Sequence, residues 1–183
     1  MEPVTDRELL DRLCSRDSRA FELLYQRYKV ALFRFCLGIL KDQHRAEDAV
    51  HETFLKLFRW SDALQDRTSC RAWLFRVARN ECLMVMRRER HSAIVDGEDV
   101  WDEDTPLTIL VGQQTQDSIS KALDALKVEY REVILLRESD RLSYAEIAAI
   151  TDSSESAVKS RLFKARRALA SALAPLLDER TGI

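Results

Sequence analysis

The chain has 183 residues, 46% of them hydrophobic and 33% charged, and a formal net charge of −2. That length allows one large domain or two small ones, and the balance suits a soluble globular protein. Four Gly and three Pro are too few turn residues for an all-β or α/β fold, so an all-α protein is expected.

The N-terminus, Met-Glu-Pro-Val-Thr-Asp-Arg, has no apolar signal core, and no run approaches the length of a membrane span. A short helix is expected over Asp6 to Cys14 and a long one from Ser18 to Leu40. In the second, Phe21, Leu24, Tyr28, Leu32, Phe35 and Ile39 form one apolar stripe at helical spacing. The third runs from Gln43 to Trp60, with Ala46, Ala49, Val50, Phe54 and Leu57 inward and Glu47, Asp48 and Glu52 outward. The fourth, Cys70 to Arg90, turns Leu74, Val77 and Ala78 inward. Four such helices are enough to close a small bundle.

From Ser92 to Gln116 the pattern breaks. Gly97, Pro106, Gly112 and an acidic run make this a linker, yet Val100, Trp101, Leu107, Ile109, Leu110 and Val111 are more apolar than a solvated tether requires. Helices are expected again over Asp117–Leu126, Glu129–Arg137, Ser143–Ile150 and Ser154 to about Leu177, giving a second all-α domain. The boundaries are then 5–91, 92–116 and 117–178.

The near-neutral sum hides two basic segments. Arg71 to Arg90 holds six Arg against Glu81 and Glu89, and Arg141 to Arg167 holds six Lys and Arg against Glu146, Asp152 and Glu155. The stretch between them, Ser92 to Ser118, carries acidic residues and no basic one. The net charge therefore does not exclude a nucleic-acid partner. Cys14, Cys36, Cys70 and Cys82 have no metal-type spacing, and buried thiols in a reducing cytoplasm are the expectation. His44, His51 and His91 make no catalytic or HExxH cluster, and neither metal, cofactor nor enzyme chemistry is expected.

The most informative stretch is Leu142 to Arg167. Ser143 and Glu146 form a capping box that starts a short helix. Thr151-Asp152-Ser153 interrupts it, with Asp152 tolerant of left-handed backbone and Ser153 able to cap the next helix. In that next helix Val158, Leu162, Ala165 and Leu169 face inward, while Ser156, Lys159, Ser160, Phe163, Lys164 and Arg167 lie opposite. A short helix, a tight turn and a second helix with a basic outer face make a helix-turn-helix, whose second helix fits the DNA major groove. Cations neutralise phosphates, Ser bonds phosphate or base edge, and the Phe163 ring suits a thymine methyl.

These residues carry a family resemblance. Leu-Ser-Tyr-Ala-Glu-Ile-Ala (142–148) and Ala-Val-Lys-Ser-Arg-Leu-Phe-Lys-Ala-Arg (157–166) resemble the promoter-binding fourth region of extracytoplasmic-function (ECF) sigma factors, a group of the sigma-70 family. Residues 20–28 resemble the opening helix of the family's second region, 46–56 its polymerase-binding helix, and 72–80 with Arg87-Arg88 its promoter-melting helix. The likeness spans roughly residues 5 to 178, apart from the linker.

The resemblance implies an initiation factor that binds core RNA polymerase through its β′ and β subunits, recognises promoter DNA and helps open it. An anti-sigma factor is implied as a controlling partner. By position, polymerase binding falls to Glu47, Asp48, Glu52 and Leu55, with Phe54 in the core. The loop from Asp66 to Arg71, with Arg67, Thr68, Ser69 and Arg71, would pocket a flipped minus-ten base, and Arg76, Arg79, Asn80, Arg87 and Arg88 would track the open strand. Trp73 is open between core packing and base stacking. Minus-thirty-five contacts map to Arg137, Ser156, Ser160, Phe163 and Lys164, with Lys159, Arg161 and Arg167 near phosphates. Lys164 stands where the family often has Arg, and Lys lacks the planar two-point contact to guanine. A decoy for an anti-sigma factor and a dimeric helix-turn-helix regulator are the competing readings. The intact basic helix and the ordered N-terminal motifs favour the initiation factor over both.

Overall fold

Thr5 and Glu8 start the first helix. The Thr5 hydroxyl accepts the Glu8 amide, and the Glu8 carboxylate accepts the Thr5 amide at 2.7 Å, which satisfies two donors that a helix start leaves unpaired. In this computed structural model, residues 4–60, 69–95 and 115–181 are described. Among them are helices and no strands: α1 Asp6–Cys14, α2 Ser18–Leu40, α3 Gln43–Trp60, α4 Cys70–Val95, α5 Thr115–Asp124, α6 Val128–Ile134, a π-helical turn Leu135–Ser139, α7 Tyr144–Thr151 and α8 Glu155–Thr181.

Caps and patterning account for the N-terminal bundle. Asp17 caps α2 by accepting the Arg19 and Ala20 amides, and α2 stops at Lys41, whose φ of 59° no helix continues. Asp42 then accepts the Arg45 amide at 2.9 Å and turns the chain into α3. The apolar stripe of α2 is buried apart from Phe21, which is half-buried, and every α3 residue expected inward is buried. Leu74, Val77 and Ala78 of α4 are buried too. Ion pairs Lys56–Glu81 and Arg45–Glu89 tie α3 to α4. α4 runs five residues past its expected end at Arg90, and α5 begins two residues before Asp117. The apolar residues of the expected linker fall in 96–114, outside the described residues.

The C-terminal half departs from the expected pattern at one place. The helix expected over Glu129–Arg137 starts at Val128 and ends at Ile134, and the chain then widens into the π turn. There Asp140 N–H reaches the Leu135 carbonyl at 3.3 Å and Leu142 N–H the Leu136 carbonyl at 3.0 Å. Such a widening inserts one residue into the helical ladder. Its effect is to bury Leu135 and Leu136 while leaving Arg137 half-buried on the other side.

The two halves share one continuous core, with α2 and α4 packed against α6, the π turn and α7. Gly38 of α2 makes the closest approach possible: a Cβ there would lie 2.6 Å from Leu135 Cδ1. The Arg131 guanidinium, almost fully buried, donates to the Gly38 carbonyl at 3.1 Å and to the carbonyls of Asp124 and Leu126 at 3.2 and 2.9 Å. Burial pulls its pKa down, and Nε has no partner. Arg131 thus binds the end of α5 to the C-terminal end of α2.

Candidate polymerase and promoter interfaces

The acidic face of α3 stands clear of the core. Glu47, Asp48, His51 and Glu52 are exposed, Leu55 is half-buried beside them, and Phe54 is buried, as expected. Between α3 and α2 lies a groove of about 540 Å³, lined by Tyr25, Lys29, Val30 and Phe33 on one side and Glu47, Asp48, Val50 and His51 on the other. Tyr25 and Val30 are among the few large apolar residues left exposed. An acidic rim around a partly apolar groove suits a basic helical partner with an apolar anchor.

The expected strand-tracking residues divide into two groups. Arg76, Asn80, Arg87 and Arg88 are exposed along α4, with Arg88 Nη2 3.7 Å from the Met84 sulfur. Arg79 and Arg71 face the C-terminal half instead. Arg79 meets the buried Glu132 carboxylate, and Arg71 donates to the Asp140 carbonyl. Burial raises the Asp140 carboxyl above its usual range against the opposing pull of Arg34 and Arg71. Ser69 is exposed and accepts the Ala72 amide at 3.4 Å, as an N-terminal cap of α4. Arg67 and Thr68, expected in the base pocket, lie outside the described residues. Trp73 is half-buried and packs against the core, which is the first of its two readings.

The helix-turn-helix forms as its sequence dictates. The Ser143 hydroxyl accepts the Glu146 amide at 3.2 Å and the Glu146 carboxylate accepts the Ser143 amide at 2.8 Å. Asp152 ends α7 in the left-handed region at φ 52°. The cap of α8 is one residue later than expected: Ser154 Oγ accepts the Ala157 amide at 3.1 Å, whereas Ser153 Oγ bonds Thr151 at 2.8 Å and closes the turn. Along α8, Val158, Leu162 and Ala165 are buried and Leu169 half-buried. Ser156, Lys159, Ser160, Lys164 and Arg167 are exposed, Arg161 is half-buried, and Phe163 is 68% exposed. An aromatic ring left so bare on a cationic face buries little apolar area in the free chain, which suits a contact surface.

Three further residues, Tyr144, Arg166 and Glu132, make contacts outside the expected set. Tyr144 lies under Arg137 and Lys159, with ring-centroid distances of 4.9 and 5.7 Å. Arg166 bonds Glu138 at 2.6 and 3.1 Å. For Arg166 the sequence does hold a signal in its spacing: it follows Lys159 by seven residues, two helical turns along one face. Glu132 has no such signal, because its partner Arg79 is 53 positions away.

All four cysteines lie outside disulfides; Cys36, Cys70 and Cys82 are buried and Cys14 is half-buried. No group of three or more metal-ligating side chains occurs among the described residues, and no helix described is long and apolar enough to cross a membrane.

Comparisons with known proteins agree with this geometry. Residues 24–92 match the family profile Sigma-70 region 2, and residues 116–169 match Sigma-70, region 4. The chain is 30% identical to the ECF RNA polymerase sigma-E factor of Escherichia coli (strain K12), over 96% of this chain and 98% of that one. It is 28% identical to the RNA polymerase sigma-H factor of Pseudomonas aeruginosa, over 95% and 96%. Among solved structures it is similar to CnrH in complex with the cytosolic domain of CnrY, with a TM-score of 0.72 at 27% identity over 93% of this chain and 97% of that one. It is also similar to the sigma factor RpoE in complex with the anti-sigma factor NepR from Bartonella quintana, with a TM-score of 0.70 at 29% identity over 84% and 96%. A helical bundle with an acidic ridge, followed by a helix-turn-helix with a cationic outer face, is thus matched from end to end, and the chain belongs to the ECF sigma factors of the sigma-70 family.

Proposed function

We propose that the α3 ridge of Glu47, Asp48 and Glu52, with Leu55 beside it, docks on the β′ subunit of core RNA polymerase while the outer face of α8 reads the minus-thirty-five element. Arg137, Ser156, Ser160, Phe163 and Lys164 reach bases there, and Lys159, Arg161 and Arg167 reach phosphates. Ser69, Arg76, Asn80, Arg87 and Arg88 hold the open minus-ten strand, joined by Arg67, Thr68, Arg71 and Arg79. The domains that do this are 5–91 and 117–178, with 92–116 between them. The polymerase makes the bonds and this chain supplies recognition and strand separation, in the cytoplasm. The observation that carries the reading is the placement of an acidic ridge and a bare cationic helix face on separate exposed surfaces of one chain.

The closed packing of the two halves is a resting state in this reading. Minus-ten and minus-thirty-five elements lie about 25 base pairs apart, which is ~80 Å of duplex. A compact body of this chain length has a radius of gyration of ~16 Å, so it is only about 40 Å across. The closed body therefore cannot reach both elements. The halves would have to part on the polymerase to reach both. An anti-sigma factor acting on this chain would hold or cover the closed form.

The test is transcription reconstituted from core polymerase, this chain and a genomic promoter library. Initiation at a defined set of promoters is expected. An absence of promoter-dependent transcripts, together with no binding to core polymerase at low salt, would overturn the reading. Symmetric footprints on palindromic DNA without polymerase would instead favour a dimeric helix-turn-helix regulator.

A further inference from the structure

Tyr144 is the first residue of α7, directly after the capping Ser143. Cationic side chains from two other elements converge on it. The Arg137 guanidinium, from the π turn, sits 4.9 Å from the ring centroid, and the Lys159 ammonium, from α8, sits 5.7 Å away. Both lie within the ~6 Å at which a ring's quadrupole holds a cation. Arg137 is held a second time by donating to the Leu142 carbonyl at 2.7 Å. Nearby on α8, Arg166 is held by Glu138 at 2.6 Å.

The charges in this cluster do not balance. Glu138 neutralises Arg166, whereas Arg137 and Lys159 are gathered round one ring with no carboxylate at salt-bridge distance from either among the described residues. Each is held instead by attraction to the same ring. Long cationic side chains left to themselves sample many rotamers, and fixing them at the moment of binding weakens the complex. A ring that holds them beforehand removes part of that loss. Because Arg137 and Lys159 come from different elements, the ring also fixes the π turn against α8.

We propose that Tyr144 is a positioning residue for DNA binding: its ring holds Arg137 and Lys159 in place as a preformed pair of cations on the helix-turn-helix. The proposal rests on the promoter-binding reading of this domain. It adds a side chain that acts through others and makes no base contact. On a duplex without the promoter element both cations meet phosphates, which carry no sequence information, so the effect is the same on any such duplex.

The experiment uses the full chain and a fluorescently labelled 30-base-pair duplex of mixed sequence, titrated at several salt concentrations. Tyr144→Leu is expected to weaken binding about tenfold, and Tyr144→Phe, which keeps the ring, to stay within about twofold of wild type. Lys159→Gln should reduce the slope of log affinity against log salt by about one, because it deletes a phosphate contact. Tyr144→Leu should leave that slope unchanged. With both Arg137→Gln and Lys159→Gln already present, adding Tyr144→Leu should change binding less than about twofold. An unaltered Tyr144→Leu, a Tyr144→Phe as weak as Tyr144→Leu, or a tenfold loss persisting without the two cations would each overturn the proposal. The second outcome would assign the effect to the hydroxyl, and the third to general damage of the fold. Binding of wild type to core polymerase is measured alongside. Its failure would sink the sigma-factor reading, while the ring's role is decided by the duplex data alone.

Discussion

Arg79 of α4 and Glu132 of α6 meet in a two-point ion pair across the junction of the two halves, Nε to Oε2 at 2.7 Å and Nη2 to Oε1 at 3.3 Å. Glu132 is almost wholly buried by the contact, with 3% of its side chain exposed. In the proposed function the same guanidinium holds the open minus-ten strand, so closed packing and strand binding would compete for it. Removing one partner of a buried pair leaves the other uncompensated and costs about 3–5 kcal/mol. Glu132→Gln should therefore loosen the junction. Small-angle scattering of the purified chain should show a larger radius of gyration than wild type, and the exchanged pair Arg79→Glu with Glu132→Arg should restore the compact value. An unchanged radius in Glu132→Gln would mean that the apolar packing around Leu135 and Gly38 holds the halves by itself.

Phe163→Ala and Lys164→Ala should each weaken binding to the upstream promoter element by about 1–3 kcal/mol. Phe163 is bare in the free chain, so its loss leaves the fold intact and thermal melting unchanged. Affinity for core polymerase should not move. Equal losses for DNA and polymerase would give this helix a different role.

Charge reversal on the α3 ridge should act on the other partner. Glu47→Lys with Asp48→Lys should slow association with core polymerase, and the difference from wild type should shrink as salt rises, since exposed charges steer encounter. Duplex binding by α8 should be unaffected. Surface plasmon resonance at two ionic strengths separates the two effects, and a salt-independent loss would point to misfolding of α3.

The thiols give a pH-dependent prediction. Burial first, and Asp6 second, push the Cys70 thiol up to about 12, and the Cys36 thiol, donating toward Cys82 and buried, is raised well above its ordinary value. A thiol raised on folding stabilises the fold fully below the unfolded thiol's range, and that contribution is lost as pH climbs through the folded value. Between about pH 9 and 12 the melting temperature of wild type should thus fall more steeply than that of Cys70→Ala. At pH 8 a thiol reagent should label the half-buried Cys14 first and the three buried cysteines only after denaturation.

The sequence by itself determined the helices, their inward faces and the two outward ones. Capping residues Thr5, Asp17 and Ser143 act within three residues of themselves, and the apolar spacing of Phe35, Phe54, Leu74 and Leu162 repeats within one element, so both are written locally. For the same reason the exposure of Glu47, Asp48, Lys159 and Phe163 is legible in the order of residues alone. Only the tertiary structure decided that Arg71 and Arg79 turn away from solvent toward Asp140 and Glu132, that the chain widens at Leu135, and that Tyr144 gathers cations from two other elements. Those facts depend on groups far apart in sequence meeting in a low-dielectric junction, where partner and distance set the energy. Helical periodicity records which side of a helix is buried, but it does not record what the helix is buried against.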